Sequence, residues 1–93
     1  MTTMHDDIAL RKDILLTIKT EIIKRLSIQR NTAQIDDDTA LFGNGLKLDS
    51  VDATEILVLL DKVFGIRVSE GDDPSYMRSI NSLATFIIQK QRA

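Results

Sequence analysis

Between Asp6 and Leu26 the apolar residues Ile8, Leu15, Ile18, Ile22 and Leu26 recur at three-, four- and seven-residue steps. That spacing lines them along one stripe of a helix, and Ile14 and Ile23 widen the stripe. Asp6 and Asp7 stand at the end a helix dipole prefers negative, Lys24 and Arg25 at the end it prefers positive. A first helix from about Asp6 to Leu26 follows, with residues 1–5 frayed and Arg11 and Lys12 on its surface. Nothing in it suggests chemistry.

From Ser27 to Leu48 the period is lost. Ile28, Ile35, Leu41, Phe42, Leu46 and Leu48 read as pegs into a core. Thr39, Ala40 and Leu41 read as a single helical turn after the acidic run Asp36–Asp38. Gly43 and Gly45 read as positive-φ residues of tight turns.

The next stretch, Ser50 to Phe64, is helical again and unusually apolar, with Ile56, Leu57, Val58, Leu59 and Leu60 in succession. A helix apolar most of the way round is central to its domain or covers something greasy. Asp49 or Ser50 can cap it, Asp52 suits its first turn, and Gly65 suits its stop. Asp52, Glu55 and Lys62 share one side with Val51, Val58 and Leu59. Ala53, Ile56, Leu57, Leu60, Val63 and Phe64 are expected to face the core.

Ile66 to Val68 reads as extended and Ser69 to Pro74 as a turn. Pro74 fits the start of a short helix to about Arg78, capped by Asp72 or Asp73. A last helix, capped by Ser79 or Asn81, runs to about Gln91. Its apolar face is Ile80, Leu83, Ala84, Ile87 and Ile88 with Phe86 beside it, and Lys90 and Arg92 sit at its cation-favouring end. The pattern gives an all-α domain spanning 1–93, with three main helices and one short one; a right-handed up-and-down bundle is the expected arrangement.

Composition narrows the function. A chain of 93 residues has one modest core. Hydrophobic residues at 43% and charged residues at 28% suit a folded chain, not a disordered one. Aromatics at 4% and a net charge of -2 disfavour a nucleic-acid binder, which needs stacking rings and clustered cations. With no cysteine there is no disulfide framework, thiolate nucleophile or Cys-based zinc site. No apolar run approaches the roughly 20 residues of a membrane helix. No signal-peptide pattern is visible, so a cytoplasmic location is the expectation.

Enzymatic chemistry finds no footing. His5, the single histidine, has no neighbours to make it a general base and reads as a solvated residue. No Ser–His–Asp set, metal-ligand cluster or nucleotide loop is present, and no Gly-Lys-Ser/Thr follows Gly43 and Gly45. Asp36–Asp38 could offer oxygens to a divalent cation, but EF-hand spacing and its closing Glu are absent. A solvated acidic loop is the reading.

Ser50 is different. A hydroxyl at a helix N-terminus suits a bound phosphodiester, because free N–H groups and the dipole both favour an anion. By itself Asp49-Ser50 can equally be a plain helix cap.

Asp49-Ser50-Val51-Asp52, followed by Glu55, resembles the attachment motif of acyl carrier proteins. Leu41-Phe42-Gly43-Asn44-Gly45-Leu46 is similar to the loop before the serine in stand-alone carriers. Leu60-Asp61-Lys62-Val63-Phe64-Gly65-Ile66 is similar to the end of their second helix. The resemblance covers roughly Ile14 to Ile88. It implies a four-helix carrier bundle in which Ser50, beside Asp49, bears a 4′-phosphopantetheine arm taken from coenzyme A by a phosphopantetheinyl transferase. The arm's thiol holds acyl groups as thioesters and presents them to enzymes of fatty-acid, lipid or polyketide-type synthesis.

The same resemblance implies partner enzymes with basic patches. Asp49, Asp52, Glu55 and Asp61 match the acidic docking positions, and Val51 and Val58 the apolar contacts between them. It also implies a monomer whose acyl chain slides in along the second helix, among Leu57, Leu60, Phe64 and the last helix. Lys62 departs from the acidic pattern, and the first helix is long, which points to a specialised carrier. Two alternatives stand beside this. One is an aminoacyl or peptidyl carrier, although Leu48-Asp49-Ser50 looks more acyl than peptidyl. The other is a small helical adaptor without a prosthetic group, binding through Val51 and Val58.

Overall fold

A computed structural model describes residues 4–69 and 71–92, with side chains from Ile8 onward. Three α-helices, α1 (Met4–Leu26), α2 (Ser50–Phe64) and α3 (Ile80–Arg92), are joined by connections that carry two 3-10 turns, Thr32–Gln34 and Pro74–Met77. The protein is all-α. The expected short fourth helix is a single 3-10 turn, and of residues 1–5, expected to be frayed, 1–3 lie outside the described residues. Met4 already belongs to α1, and the side chain of His5 lies outside the described ones.

The core is one cluster drawn from all three helices and both connections. Ile14, Leu15, Ile18 and Ile22 come from α1, Ile56, Leu59 and Leu60 from α2, and Ile80, Leu83, Ala84 and Ile87 from α3. Ile35, Leu41 and Ile66 close it from the connections. Burying each such side chain is worth about 1.5–3 kcal/mol before the cost of ordering it.

Ile8 departs from expectation. It stands seven residues before Leu15 on the same stripe, yet it is 53% exposed. With 23 residues against 15 and 13, α1 is about 34 Å long and the longest of the three, and the shared stripe is covered from Ile14 onward. At its other end Ser27 takes a left-handed φ of 53°, and the Ile28 N–H donates back to the Ile23 carbonyl at 3.1 Å. This closes the helix without a glycine.

Thr39–Leu41 is not a helical turn. Its backbone is committed elsewhere: Ala40 bridges Ser79 in antiparallel fashion, the Leu41 N–H donates to Arg78 and the Ile80 N–H donates to Thr39. The helical turn of this connection comes earlier, at Thr32–Gln34, where Asn31 and Gln34 cap each other reciprocally. The connection is thereby pinned to the start of α3.

The rest follows local chemistry. Gly65 ends α2 at φ 67°, with its N–H on the Asp61 carbonyl. Asp73, not Asp72, caps the Pro74 turn. Ser79 opens α3 by exchanging hydrogen bonds with Ser82, leaving Asn81 for another role.

Candidate prosthetic-group attachment site

Asp49 precedes α2 with an extended backbone, φ -110° and ψ -175°. Its Oδ1 accepts the Asp52 N–H at 3.0 Å, and Asp52 Oδ2 accepts the Asp49 N–H at 3.0 Å. This reciprocal box selects Asp49 as the cap and makes Ser50 the first helical residue. Ser50 is exposed, and its hydroxyl is not needed to close the helix. The N–H groups of Ser50 and Val51 have no acceptor within α2 and face the same end. An anion carried on the Ser50 oxygen would meet both them and the positive end of the dipole.

The loop before Ser50 is tied back onto Ala40 and Leu41. Leu41 is fully buried, the Leu46 N–H donates to the Ala40 carbonyl at 2.8 Å, and the Leu48 N–H donates to Leu41 at 2.9 Å. Gly43 takes the expected positive φ of 71°. Gly45 does not; it is small because a Cβ there would lie 1.9 Å from the Ala40 carbonyl oxygen. The second left-handed residue of the loop is Lys47, at φ 57°, which no sequence signal marked.

Val51, Glu55, Val58 and Lys62 follow one another at helical steps along the outer side of α2. Val51 is 72% exposed, the most open of the large apolar residues. Asp49 and Asp61 are exposed, and Asp52, Glu55 and Val58 half-buried, so all of the expected docking residues reach the surface. Leu59, expected on that side, is buried instead. It lies three residues from Ile56 and so turns inward with it.

The three residues expected around an acyl chain are divided. Leu60 is wholly buried, Phe64 half-buried against the core, and Leu57 is 39% exposed. Leu57 and Val63 therefore do not face the core as expected. Leu57 lies 100° round the helix from Ile56, and Val63 sits on the last turn. Ser50, Leu57 and Phe64 are seven residues apart and share one side of α2, with Leu57 about 10 Å along from Ser50. α2 packs on α1, and its buried Ile56, Leu59 and Leu60 share the core cluster with Ile80, Leu83 and Ile87 of α3.

Two clefts are lined by other residues. One, of about 570 Å³, runs beside α3 along Asp72, Tyr76, Phe86 and Lys90, and the other, of about 290 Å³, lies between Leu16 and Thr32. In the first, the Ser69 N–H and then Lys90 hold the Asp72 carboxyl below its ordinary value. Burial and then the Asp72 charge push the Tyr76 hydroxyl up.

The acidic run has partners that the sequence did not reveal. Asp37 pairs with Lys19 at 2.7 Å, and Asp38 accepts from Asn81 Nδ2 at 3.0 Å. Arg11 in turn donates to the Asn81 side chain and carbonyl and to Thr85. These carboxylates anchor the first connection to α1 and α3. Among the described residues no group of three acidic, His or Cys side chains is placed to hold a metal ion. No described helix is long and apolar enough to cross a membrane.

A helix-end serine, freed from capping and framed by a pinned loop, is what a tethering site needs. The family model for the phosphopantetheine attachment site matches residues 17–87. The chain belongs to the acyl carrier protein family. Acyl carrier proteins of Chlamydia trachomatis serovars D, A and L2 are each 27% identical to it over 74 residues, covering 80% of this chain and 91% of theirs. No solved structure matches it significantly. Carriers of this family are not catalysts, and their prosthetic group is covalently bound 4′-phosphopantetheine.

Proposed function

We propose that Ser50 is the residue that bears the phosphopantetheine arm and that the cargo is acyl. The observation that supports this is the exposed hydroxyl at the first position of α2, relieved of capping by Asp49 and adjacent to two outward N–H groups. Bound there, the group supplies a thiol that holds cargo as a thioester. The chain's own part is to fix the attachment oxygen and to offer a docking face. The dipole contributes roughly 0.3–1 kcal/mol at a surface, enough to orient an anion and too little to drive its attachment. A phosphopantetheinyl transferase and coenzyme A must supply that chemistry.

Acyl-loading and acyl-using enzymes of fatty-acid, lipid or polyketide-type synthesis dock on Val51 and Val58 within the carboxylates of Asp49, Asp52, Glu55 and Asp61. Tethering raises local substrate concentration, so this docking can be weak and brief. Leu57 forms the lip over which an acyl chain enters from Ser50, and Leu60 and Phe64 line its path once α2 shifts. Each buried methylene is worth about 0.8 kcal/mol, so a medium chain is held reversibly.

Intact-mass measurement tests the reading. Incubated with coenzyme A and a broad-specificity transferase, the protein gains the mass of one arm and Ser50→Ala gains none. A wild-type chain that stays unmodified, or a variant that gains the same mass, overturns it.

A further inference from the structure

Three asparagines stand in the chain, and the fold commits two of them. Asn31 caps the first 3-10 turn, its side chain accepting the Gln34 N–H at 3.1 Å. Asn81, in the first turn of α3, donates to Asp38 at 3.0 Å and accepts from Arg11. Asn44 is exposed, and no hydrogen bond joins its side chain to another described residue. It is also the asparagine that a glycine follows. A glycine carries no Cβ to shield its amide nitrogen, so that nitrogen can close a five-membered ring on the side-chain carbon of the residue before it. What limits this at Gly45 is the chain crossing. Gly45 lies so close over Ala40 that a Cβ would stand 1.9 Å from its carbonyl oxygen, and the next N–H, of Leu46, is bonded to that same oxygen at 2.8 Å. Turning the Asn44–Gly45 peptide to the angle that ring closure needs means lifting Gly45 off Ala40.

We infer that Asn44 is a site of spontaneous deamidation, gated by the crossing of Gly45 over Ala40, and that its isoaspartyl product is a carrier with a displaced loop before Ser50. The Gly45 nitrogen bonds to Asn44 Cγ and gives up its proton; the Cγ–Nδ2 bond breaks and ammonia leaves. Water then opens the cyclic imide at one of its two carbonyls. Breaking the new bond leaves aspartate. Breaking the original backbone bond leaves isoaspartate, whose chain runs through Cβ and Cγ and is one atom longer. Aspartate keeps the length of the chain and adds a carboxylate at an exposed position. Isoaspartate feeds an extra atom into a stretch held at both ends, by the Leu41 N–H on Arg78 at 3.1 Å and by the Leu48 N–H on Leu41 at 2.9 Å. With Gly45 already against Ala40, the longer chain cannot keep both the crossing and the Leu46 bond. The loss shifts Leu48, and with it the Asp49-Ser50 start of α2. The effect on the arm rests on the Ser50 reading; the modification does not.

Protein held at mildly alkaline pH, folded and in urea, is sampled over time and mapped by proteolysis and mass spectrometry. Conversion is expected at Asn44 ahead of Asn31 and Asn81, with both products, and about ten- to a hundredfold more slowly in the folded protein than in urea. Gly43→Ala, strained at its left-handed φ but meeting no neighbour, is expected to narrow that ratio by about threefold or more, with its rate in urea unchanged. Aged wild-type protein is then part-reacted with coenzyme A and a broad-specificity transferase. Isoaspartate is expected to be enriched about tenfold in the unarmed fraction, and Asn44→Asp to take the arm no more slowly than the wild type. The inference is overturned by folded protein with Asn44 unconverted when the urea sample is complete, by equal rates in the two conditions, or by earlier conversion of folded protein at Asn31 or Asn81. Isoaspartate spread evenly between the armed and unarmed fractions overturns it too. A chain that takes no arm in any form defeats the Ser50 reading alone, because the mapped rates still judge the modification.

Discussion

Asp49 and Asp52 hold each other's backbone: each carboxylate accepts the other's N–H at 3.0 Å. Asp52 thus closes the helix as well as lending charge to the proposed docking face, and the two roles can be separated. Asp49→Ala removes the cap and is expected to cost about 1 kcal/mol. In a domain of this size that lowers Tm by roughly 4–8 °C. Asp52→Asn keeps an acceptor for the Asp49 N–H and is expected to cost about 0.5 kcal/mol or less. Its rate of arm attachment should nonetheless fall at low salt and converge on the wild type at high salt, where charge attraction is screened. Thermal melts and mass-monitored attachment together read both effects.

The glycines of the loop before Ser50 should respond in unequal ways. Gly45→Ala drives a Cβ into the Ala40 carbonyl, which is backbone and cannot rotate aside. It is expected to cost about 3 kcal/mol or more and to slow attachment at Ser50. Gly43→Ala meets no neighbour and pays only for its left-handed φ, about 1–2 kcal/mol. Urea titration of the two variants gives the order; equal costs would mean that the crossing at Ala40 relaxes.

Leu57 and Leu60 are neighbours in the chain's apolar run and should behave differently. Leu60→Ala empties a fully buried site and is expected to cost about 2–5 kcal/mol. Leu57→Ala, at a half-open position, is expected to cost about 1 kcal/mol or less in the unloaded protein. Loading a medium acyl chain should then stabilise the wild type more than the Leu57 variant. Calorimetry on loaded and unloaded forms measures the difference.

Asp72 gives a pH signature. Its folded value is lowered from 3.8, first by the Ser69 N–H and then by Lys90. A depressed carboxyl contributes stability above its unfolded value and loses it as pH falls through the folded one. The difference in stability between wild type and Asp72→Asn should therefore be constant from about pH 5 upward and vanish as pH falls below the ordinary carboxylate range. Denaturant titrations at a series of pH values measure it.

Most of the fold was legible because its signals are local. The apolar stripe through Leu15, Ile18 and Ile22 needed only a helical period, and Gly65 and Pro74 mark boundaries by their own backbone limits. The start of α2 was legible for the same reason, since Asp49, Ser50 and Asp52 are adjacent in the chain. What escaped depends on distant partners. Gly45 is small because of Ala40 across a backbone crossing, Thr39–Leu41 is straightened by Ser79, and Asp37 and Asp38 are spoken for by Lys19 and Asn81. Ile8 matched the stripe yet stands exposed, because a helical period does not say which turns of a long helix its neighbours cover. Leu57 and Leu59 changed sides because a run of five apolar residues leaves the buried arc of α2 undefined until its neighbours are placed.

That an aspartate, and not the adjacent serine, seals the second helix has a bearing on manufacture. The cap of α2 is complete with the Ser50 hydroxyl bare, and the proposed arm would disturb neither of its two hydrogen bonds. On the proposed reading, folding and arming are then separate events, and a finished unarmed molecule can wait for its transferase.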